Sequence, residues 1–275
     1  MKTLPVAVQL YSIRDDASAN PEAALRSVKE MGYDGVEFAG LYGYAPEEIK
    51  ALCEKYALTP ISAHVPLDDM VADPEGVIGA YAVIGVKYIA VPYLAEDRRP
   101  GTPGWEKTIA DIRMCAQVAK DKGIQMLYHN HDFEFVKIDG EYALDILYNT
   151  IPEDLLKTEV DTCWVKVAGE NPADYIRKYT GRSPVVHLKD FYKSGEKAEG
   201  MYELIGIKPE GETASEEAFG FRPVGSGLQD MPSILAAAID AGAEWVVVEQ
   251  DRPALGLSPM ESIRTSREYL KKQGW

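Results

Sequence analysis

Eight short apolar runs punctuate the chain, at residues 5–11, 33–38, 59–64, 87–93, 124–129, 157–161, 183–188 and 244–249. They are continuous rather than alternating, the pattern of strands buried on both faces. The segments between them carry helix punctuation. Asn20-Pro21, Asp73-Pro74-Glu75 and Asn171-Pro172 each offer a side-chain cap followed by Pro at the first helical position. Ser258-Pro-Met-Glu261 has capping-box spacing, and Gly32, Gly85, Gly123, Gly181 and Gly242 mark stops. The predicted helices cover residues 20–29, 45–56, 73–84, 105–122, 141–149, 171–181, 231–242 and 258 onward.

Eight strands alternating with eight helices predict an α/β fold, a (β/α)8 TIM barrel, as a single domain over residues 1–275. The competing architecture, an open doubly wound sheet, calls for a Gly-rich turn after the first strand. Tyr11-Ser-Ile-Arg-Asp-Asp16 stands there instead. One stretch breaks the alternation. Residues 190–227 after the seventh strand have no sustained apolar period and read as a long irregular loop insertion, the kind that serves an active site. The acidic run Glu210–Glu217 within it reads as a solvated face.

A barrel places its chemistry at the carboxyl ends of its strands. Those ends carry Tyr11, Glu37, His64, His129 with His131, Asp161, His187 with Lys189 and Asp190, and Glu249 with Asp251. All four histidines of the chain fall at these positions. In an extended strand His129 and His131 share a face. Asp161, His187 and Glu249 offer two carboxylates and an imidazole, a donor set suited to a divalent cation such as Mn2+, Zn2+ or Co2+. Each residue taken singly also has a structural reading: a strand-end carboxylate caps the next helix or pairs with a cation. Tyr11, Glu37, His64 and Lys189 are candidate substrate-binding groups around the same mouth, the first two for polyol hydroxyls and Lys189 for an anion or a carbonyl.

Composition narrows the class. A formal net charge of −15 argues against nucleic-acid binding, which needs clustered Lys and Arg. No apolar run reaches the ~18 residues of a membrane span, and the N-terminus has no signal-peptide pattern. Three scattered cysteines, Cys53, Cys115 and Cys163, fit a reducing cytoplasm rather than a disulfide framework. A small-molecule substrate is expected, and the apolar-rich outer helices allow a homodimer.

Several stretches together resemble the sugar phosphate isomerase/epimerase superfamily of xylose isomerase-like TIM barrels. They are Gln9-Leu-Tyr-Ser-Ile-Arg-Asp15, Gly35-Val-Glu-Phe38, Ser62-Ala-His-Val65, His129-Asn-His-Asp-Phe-Glu-Phe135, Glu159-Val-Asp161, His187-Leu-Lys-Asp190, Val224-Gly-Ser-Gly227 and Val248-Glu-Gln-Asp251. The resemblance implies one divalent metal ion, Mn2+ foremost, with Zn2+, Co2+ or Mg2+ as alternatives, held by Glu, Asp, His and Glu from strands five to eight. The last three correspond to Asp161, His187 and Glu249.

The first does not map directly. His129-Asn130-His131 stands where many relatives have Glu-Asn-His, so either His129 takes the ligand place or Glu134 reaches back from the loop. Glu134 is favoured, because a carboxylate in that place keeps the usual charge at the metal. His129 or His131 is then free as a base beside Glu249.

The implied activity is isomerisation or epimerisation of a neutral sugar or keto-sugar by proton abstraction alpha to a carbonyl, through an enediolate. The alternative is a lyase or dehydratase that eliminates from a keto-sugar, keto-glycoside or inosose, and a remote one is a non-catalytic sugar-binding barrel. The superfamily's endonuclease branch, with its several metals, is disfavoured by four histidines and the acidic charge.

Overall fold

The computed structural model describes residues 3–194 and 219–275 of the 275-residue chain. Its parallel strands are β1 (Val6–Gln9), β2 (Gly35–Phe38), β3 (Thr59–Ala63), β4 (Tyr88–Val91), β5 (Gln125–His129), β6 (Leu156–Asp161), β7 (Val185–Leu188) and β8 (Trp245–Val248). They form one sheet in the order β3-β2-β1-β8-β7-β6-β5-β4. A parallel bridge between His64 and Ala90 joins its two ends. This is the (β/α)8 barrel that the alternation predicts.

Two opposite faces of the strands are buried for different reasons. Outward residues such as Val8, Val36, Ile89, Val186 and Val248 pack under the surrounding helices in the main core. Inward, Ala7, Ile61, Tyr88, Ala90, Leu127, Val185 and Val247 fill the barrel interior. Side chains two apart share a face. The inward series therefore run upward as Ala7-Gln9, Leu127-His129-His131, Val185-His187-Lys189 and Val247-Glu249-Asp251. Each begins apolar and ends polar, and every polar member is buried. The apolar layer floors a polar site.

The helices start where the caps predict. Asn20 Oδ1 accepts from Ala23 N at 3.0 Å, and Asp73 Oδ1 accepts from Gly76 N at 3.0 Å. Ser258 and Glu261 form the reciprocal capping box. Three short helices, Arg14–Ala19, Leu67–Ala72 and Thr162–Val167, fall outside the predicted set. Each lies in the connection following a strand, and one turn or two leaves little periodicity to read. No described helix is long and apolar enough to cross a membrane.

The insertion differs from its sequence reading at both ends. Asp190–Lys193 and Phe219–Arg222 form an antiparallel ladder, pairing Asp190 with Arg222 and Lys193 with Phe219. Phe191, Phe219 and Phe221 bury against Trp164, which is the drive for pairing. The buried Asp190 carboxylate gathers the chain on its return: Oδ1 accepts from Phe191 N at 2.9 Å and Gln229 N at 3.1 Å, and Oδ2 accepts from Gly225 N at 3.0 Å and Gly227 N at 2.9 Å. The acidic run Glu210–Glu217 lies outside the described residues.

Two glycines make opposite predictions. A Cβ at Gly227 would sit 2.3 Å from Asp190 Oδ1 and 2.4 Å from the Phe191 carbonyl oxygen. Gly227→Ala should therefore lower the thermal midpoint by forcing the Asp190 clamp apart. Gly79, inside the helix Pro74–Ile84, has nothing nearer than Lys122 Nζ at 3.7 Å. Gly79→Ala should raise stability by about 0.5–1 kcal/mol, since Gly is disfavoured in a helix interior. Calorimetry of both variants checks the pair, and the same sign for both would contradict these contacts.

Candidate active site

The ends of β5 and β6 are fastened together before any chemistry is placed on them. Asn130 Oδ1 accepts from Asp161 N at 3.0 Å, and its Nδ2 donates to the Asp161 carbonyl at 3.3 Å. Its neighbours His129 and His131 turn into the barrel. Asp161 divides its two oxygens. Oδ1 caps the helix Thr162–Val167, accepting from Cys163 N at 2.8 Å and Trp164 N at 3.1 Å. Oδ2 is left facing inward, 3.3 Å from His129 Nε2 and 3.4 Å from Lys189 Nζ. The structural and the chemical reading of this carboxylate thus hold together.

Four side chains converge there. His129, Asp161, His187 and Glu249 present ligand-type atoms that all lie within 4.8 Å of one another. Glu249 Oε2 is 3.5 Å from His129 Nε2 and 3.1 Å from His187 Nδ1. Both nitrogens of His129 and Asp161 Oδ2 are buried without a hydrogen-bond partner. Orphaned polar atoms are costly in a protein interior. Two imidazoles and two carboxylates spaced this way fit a divalent cation, whose nitrogen and oxygen ligands stand about 2.0–2.2 Å from it. These residues are the ones that could hold it.

Electrostatics follow the same grouping. Burial opposes the charge on Glu249, but Lys189, His129 and His187 hold its carboxyl well below the usual range. Burial likewise disfavours an imidazolium at His129, yet Asp161 and Glu249 raise it to about 9. Burial, with His129 and Lys189 nearby, pushes His131 well down and keeps it neutral. Lys189 is 1 % exposed. Its ammonium lies 2.8 Å from Asp251 Oδ2 and 2.9 Å from Glu249 Oε2.

A cavity of about 450 Å3 opens above this group, lined by Tyr11, His64, Tyr93, His129, His131, Lys189, Glu249 and Asp251 among others. That size is within the range of small-molecule sites. His131 stacks on Phe133, with ring centroids 5.5 Å apart and planes within 5°. Tyr11, His64 and Lys189 stand at the cavity where the sequence places them.

Two expectations are corrected. Glu37, expected to bind a substrate hydroxyl, is fully buried and does not line the cavity. Its Oε1 accepts from Gln9 Nε2 at 2.8 Å, and Ser62 Oγ donates to its Oε2. It sits in a deeper group with His64, Glu159 and His187.

Glu134, favoured as the fifth-strand ligand, points elsewhere. Its Oε1 accepts from Tyr128 Oη at 2.6 Å and its Oε2 from His131 N at 2.8 Å. The turn Phe133–Phe135 folds it back on its own strand, and His129 stands with Asp161, His187 and Glu249 instead. Glu159 also stands in the deeper group and was not among the candidate residues. It lies two positions before Asp161 on the same face, a period-two signal that could have marked it.

A family model described as a xylose isomerase-like TIM barrel matches residues 25–273. An inosose dehydratase of Clostridium botulinum (strain Alaska E43 / Type E3) is 28% identical over 173 residues, covering 62% of this chain and 54% of that protein. The chain thus spans about half the length of the curated relatives it matches. A solved sugar phosphate isomerase/epimerase from Parabacteroides distasonis superposes with a TM-score of 0.77 at 18% identity, covering 98% of this chain and 94% of that one. The IolI protein solved with a zinc atom gives 0.73 at 15% identity, covering 98% and 97%.

The placement of Glu134 yields a two-part prediction. Glu134→Gln keeps both hydrogen bonds, the amide oxygen accepting from His131 N and the amide nitrogen donating to Tyr128 Oη. It should leave divalent-cation affinity unchanged in a chelator competition. His129→Ala should weaken that affinity by more than the ~10–100-fold typical of an outer-shell partner. Burial, against the opposing hydrogen bond from Tyr128, raises Glu134 from 4.5 to about 7. The folded state then binds this proton more tightly than the unfolded one. The contribution is full below about pH 4.5 and is lost as pH rises through about 7, on the order of 3 kcal/mol in all. Urea unfolding across that window should show the slope in the parent and not in Glu134→Gln. Equal slopes would refute the assignment.

Proposed function

The chain belongs to the xylose isomerase-like TIM-barrel family, and on that premise we propose that it is a divalent-metal-dependent lyase acting on a neutral keto-sugar or keto-polyol. The reaction begins with removal of a proton alpha to a carbonyl and ends with loss of a beta hydroxyl or alkoxyl. The observation that carries this reading is the buried Lys189 ammonium 2.9 Å from Glu249 Oε2 at the cavity wall. It sets a base and a fixed positive charge side by side. The curated dehydratase relatives support the same direction.

His129, Asp161, His187 and Glu249 are the residues that would hold the metal. A divalent cation bound among them supplies Lewis-acid polarisation of the substrate carbonyl. The remaining work belongs to the chain. The Glu249 carboxylate accepts the alpha proton, taken by the oxygen not turned toward His187 and Lys189. The electron pair released at the alpha carbon forms the new double bond as the beta carbon–oxygen bond breaks. The leaving oxygen takes the proton that Glu249 has accepted and departs as water or an alcohol, which returns Glu249 to its carboxylate. Lys189, held in place by Asp251, stabilises the negative charge that develops meanwhile.

Among the described residues lining the cavity Lys189 is the one Lys or Arg side chain, and carboxylates already flank it. Arg222 and Arg252 line a separate depression. A neutral substrate suits this balance better than a phosphorylated one.

Isomerisation or epimerisation is the second reading. His131 favours it: a cavity-lining imidazole kept neutral by burial offers a proton acceptor besides Glu249.

Incubation with Mn2+ and a panel of keto-sugars and inososes in D2O tests both readings. An elimination product is expected, with deuterium exchange at the alpha carbon. Epimer or isomer without elimination would select the second reading. No exchange from any compound, with no metal taken up, would leave a non-catalytic sugar-binding barrel. Glu249→Gln should abolish exchange, and chelation of the metal should do the same reversibly.

A further inference from the structure

Among the described residues His187 belongs to both four-residue polar groups of the barrel. Its Nδ1 faces the upper group, 3.1 Å from Glu249 Oε2. Its Nε2 faces the lower group, 2.8 Å from Glu37 Oε1 and 2.8 Å from Glu159 Oε1. All three residues of this lower contact are fully buried. The two nitrogens of an imidazole diverge, so a single cation takes only one of them. Which one is decided by where the ring carries its proton.

The lower carboxylates leave little choice. A bare nitrogen lone pair at 2.8 Å from two carboxylate oxygens is repelled by both, whereas an N–H there is attracted by both. Nδ1 also stands in hydrogen-bond geometry to one carboxylate oxygen, Glu249 Oε2 at 3.1 Å, but Nε2 meets two at the shorter distance of 2.8 Å, and the pair outweighs the single oxygen. Neither acceptor is at liberty to move away. Glu37 is pinned by Gln9 Nε2 at 2.8 Å and by Ser62 Oγ. Glu159 Oε2 lies 3.3 Å from His64 Nε2. The His64 ring lies nearly parallel to that of His187, 5.2 Å away and within 9°, which limits rotation of the ring.

We propose that Glu37 and Glu159 are positioning residues for His187: they hold the proton on Nε2 and so present the Nδ1 lone pair to the cation held by His129, Asp161 and Glu249. The two carboxylates act through His187 and do not touch substrate. A histidine ligand whose other nitrogen donates to a carboxylate is oriented and made more basic by it. Here the partners come from β2 and β6, strands that do not pair with each other, so the metal site is supported from across the barrel. This inference rests on the metal reading above.

The test needs no turnover. Protein labelled with 15N-histidine and loaded with zinc is examined by long-range proton–nitrogen correlation. Zinc affinity and stoichiometry are measured by chelator competition for the parent, Glu159→Gln and Glu37→Gln. The expected result is an Nε2–H, Nδ1-ligated His187 in the parent, with one zinc per chain. Each variant should weaken zinc binding by ~10–100-fold, with thermal unfolding used to confirm folding. A merely structural role would lower the unfolding midpoint and leave affinity and tautomer unchanged.

The inference is overturned by an Nδ1–H tautomer in the parent or by variants with parental affinity. A second zinc that is lost in Glu159→Gln would also overturn it, placing a cation where the proton is assigned. The parent spectrum decides even if one variant fails to fold. If the parent takes up no zinc, the metal reading fails and this inference falls with it. If only the variants behave like the parent, this inference fails alone.

Discussion

Negative charge enclosed in a barrel is the constraint on which the rest depends. Glu37, Glu159, Asp161, Glu249 and Asp251 are all at most 4 % exposed. Removing a carboxylate from water is costly unless it is paired and hydrogen-bonded. One ammonium, Lys189, stands against three of them, with Asp251 and Glu249 closest. Imidazoles occupy the space between the others, and His187 touches carboxylates through both of its nitrogens. The donor set that suits a cation is also the arrangement that such a concentration of charge requires.

The scaffold makes this tolerable by layering. Leu127, Val185 and Val247 lie directly below His129, His187 and Glu249 on the same inward faces. The polar layers rest on a dry floor, and the backbone amides that fasten the rim are spent on side chains: Asp161 N on Asn130, Gln250 N on Ser12 Oγ at 3.0 Å, and the returning loop on Asp190. The rim is therefore held by residues such as Asn130, Ser12 and Asp190, while His129 and Asp161 Oδ2 turn inward with buried atoms that lack a hydrogen-bond partner. Structure and reactivity are divided even within one side chain, as the two oxygens of Asp161 show.

The part of this that was legible in the sequence was the part encoded by neighbours along the chain. Strand runs, Pro-capped helix starts and Gly stops are local signals, and the barrel follows from their count. His129, Asp161, His187 and Glu249 were visible as strand-end residues because the fold class itself says where chemistry goes. Glu134 misled, since a carboxylate five residues past the strand end has the reach to turn either way, and only the tight turn at Phe133–Phe135 decides that it bonds Tyr128 and the His131 amide. Glu37 misled for a different reason. Being at a strand end says nothing of depth, and the depth of a residue depends on how neighbouring strands are staggered.

The chain by itself determined the eightfold alternation, the face each residue takes and the gathering of histidines at one end, because hydrophobic period and turn chemistry act over a few residues. Tertiary structure alone decided which of those residues meet. Glu37 and Glu159 come from strands that share no hydrogen bonds, yet their Oε1 atoms each lie 2.8 Å from the same nitrogen of His187. That contact is set by the stagger and closure of the whole barrel, to which every strand contributes and which no single stretch of sequence records.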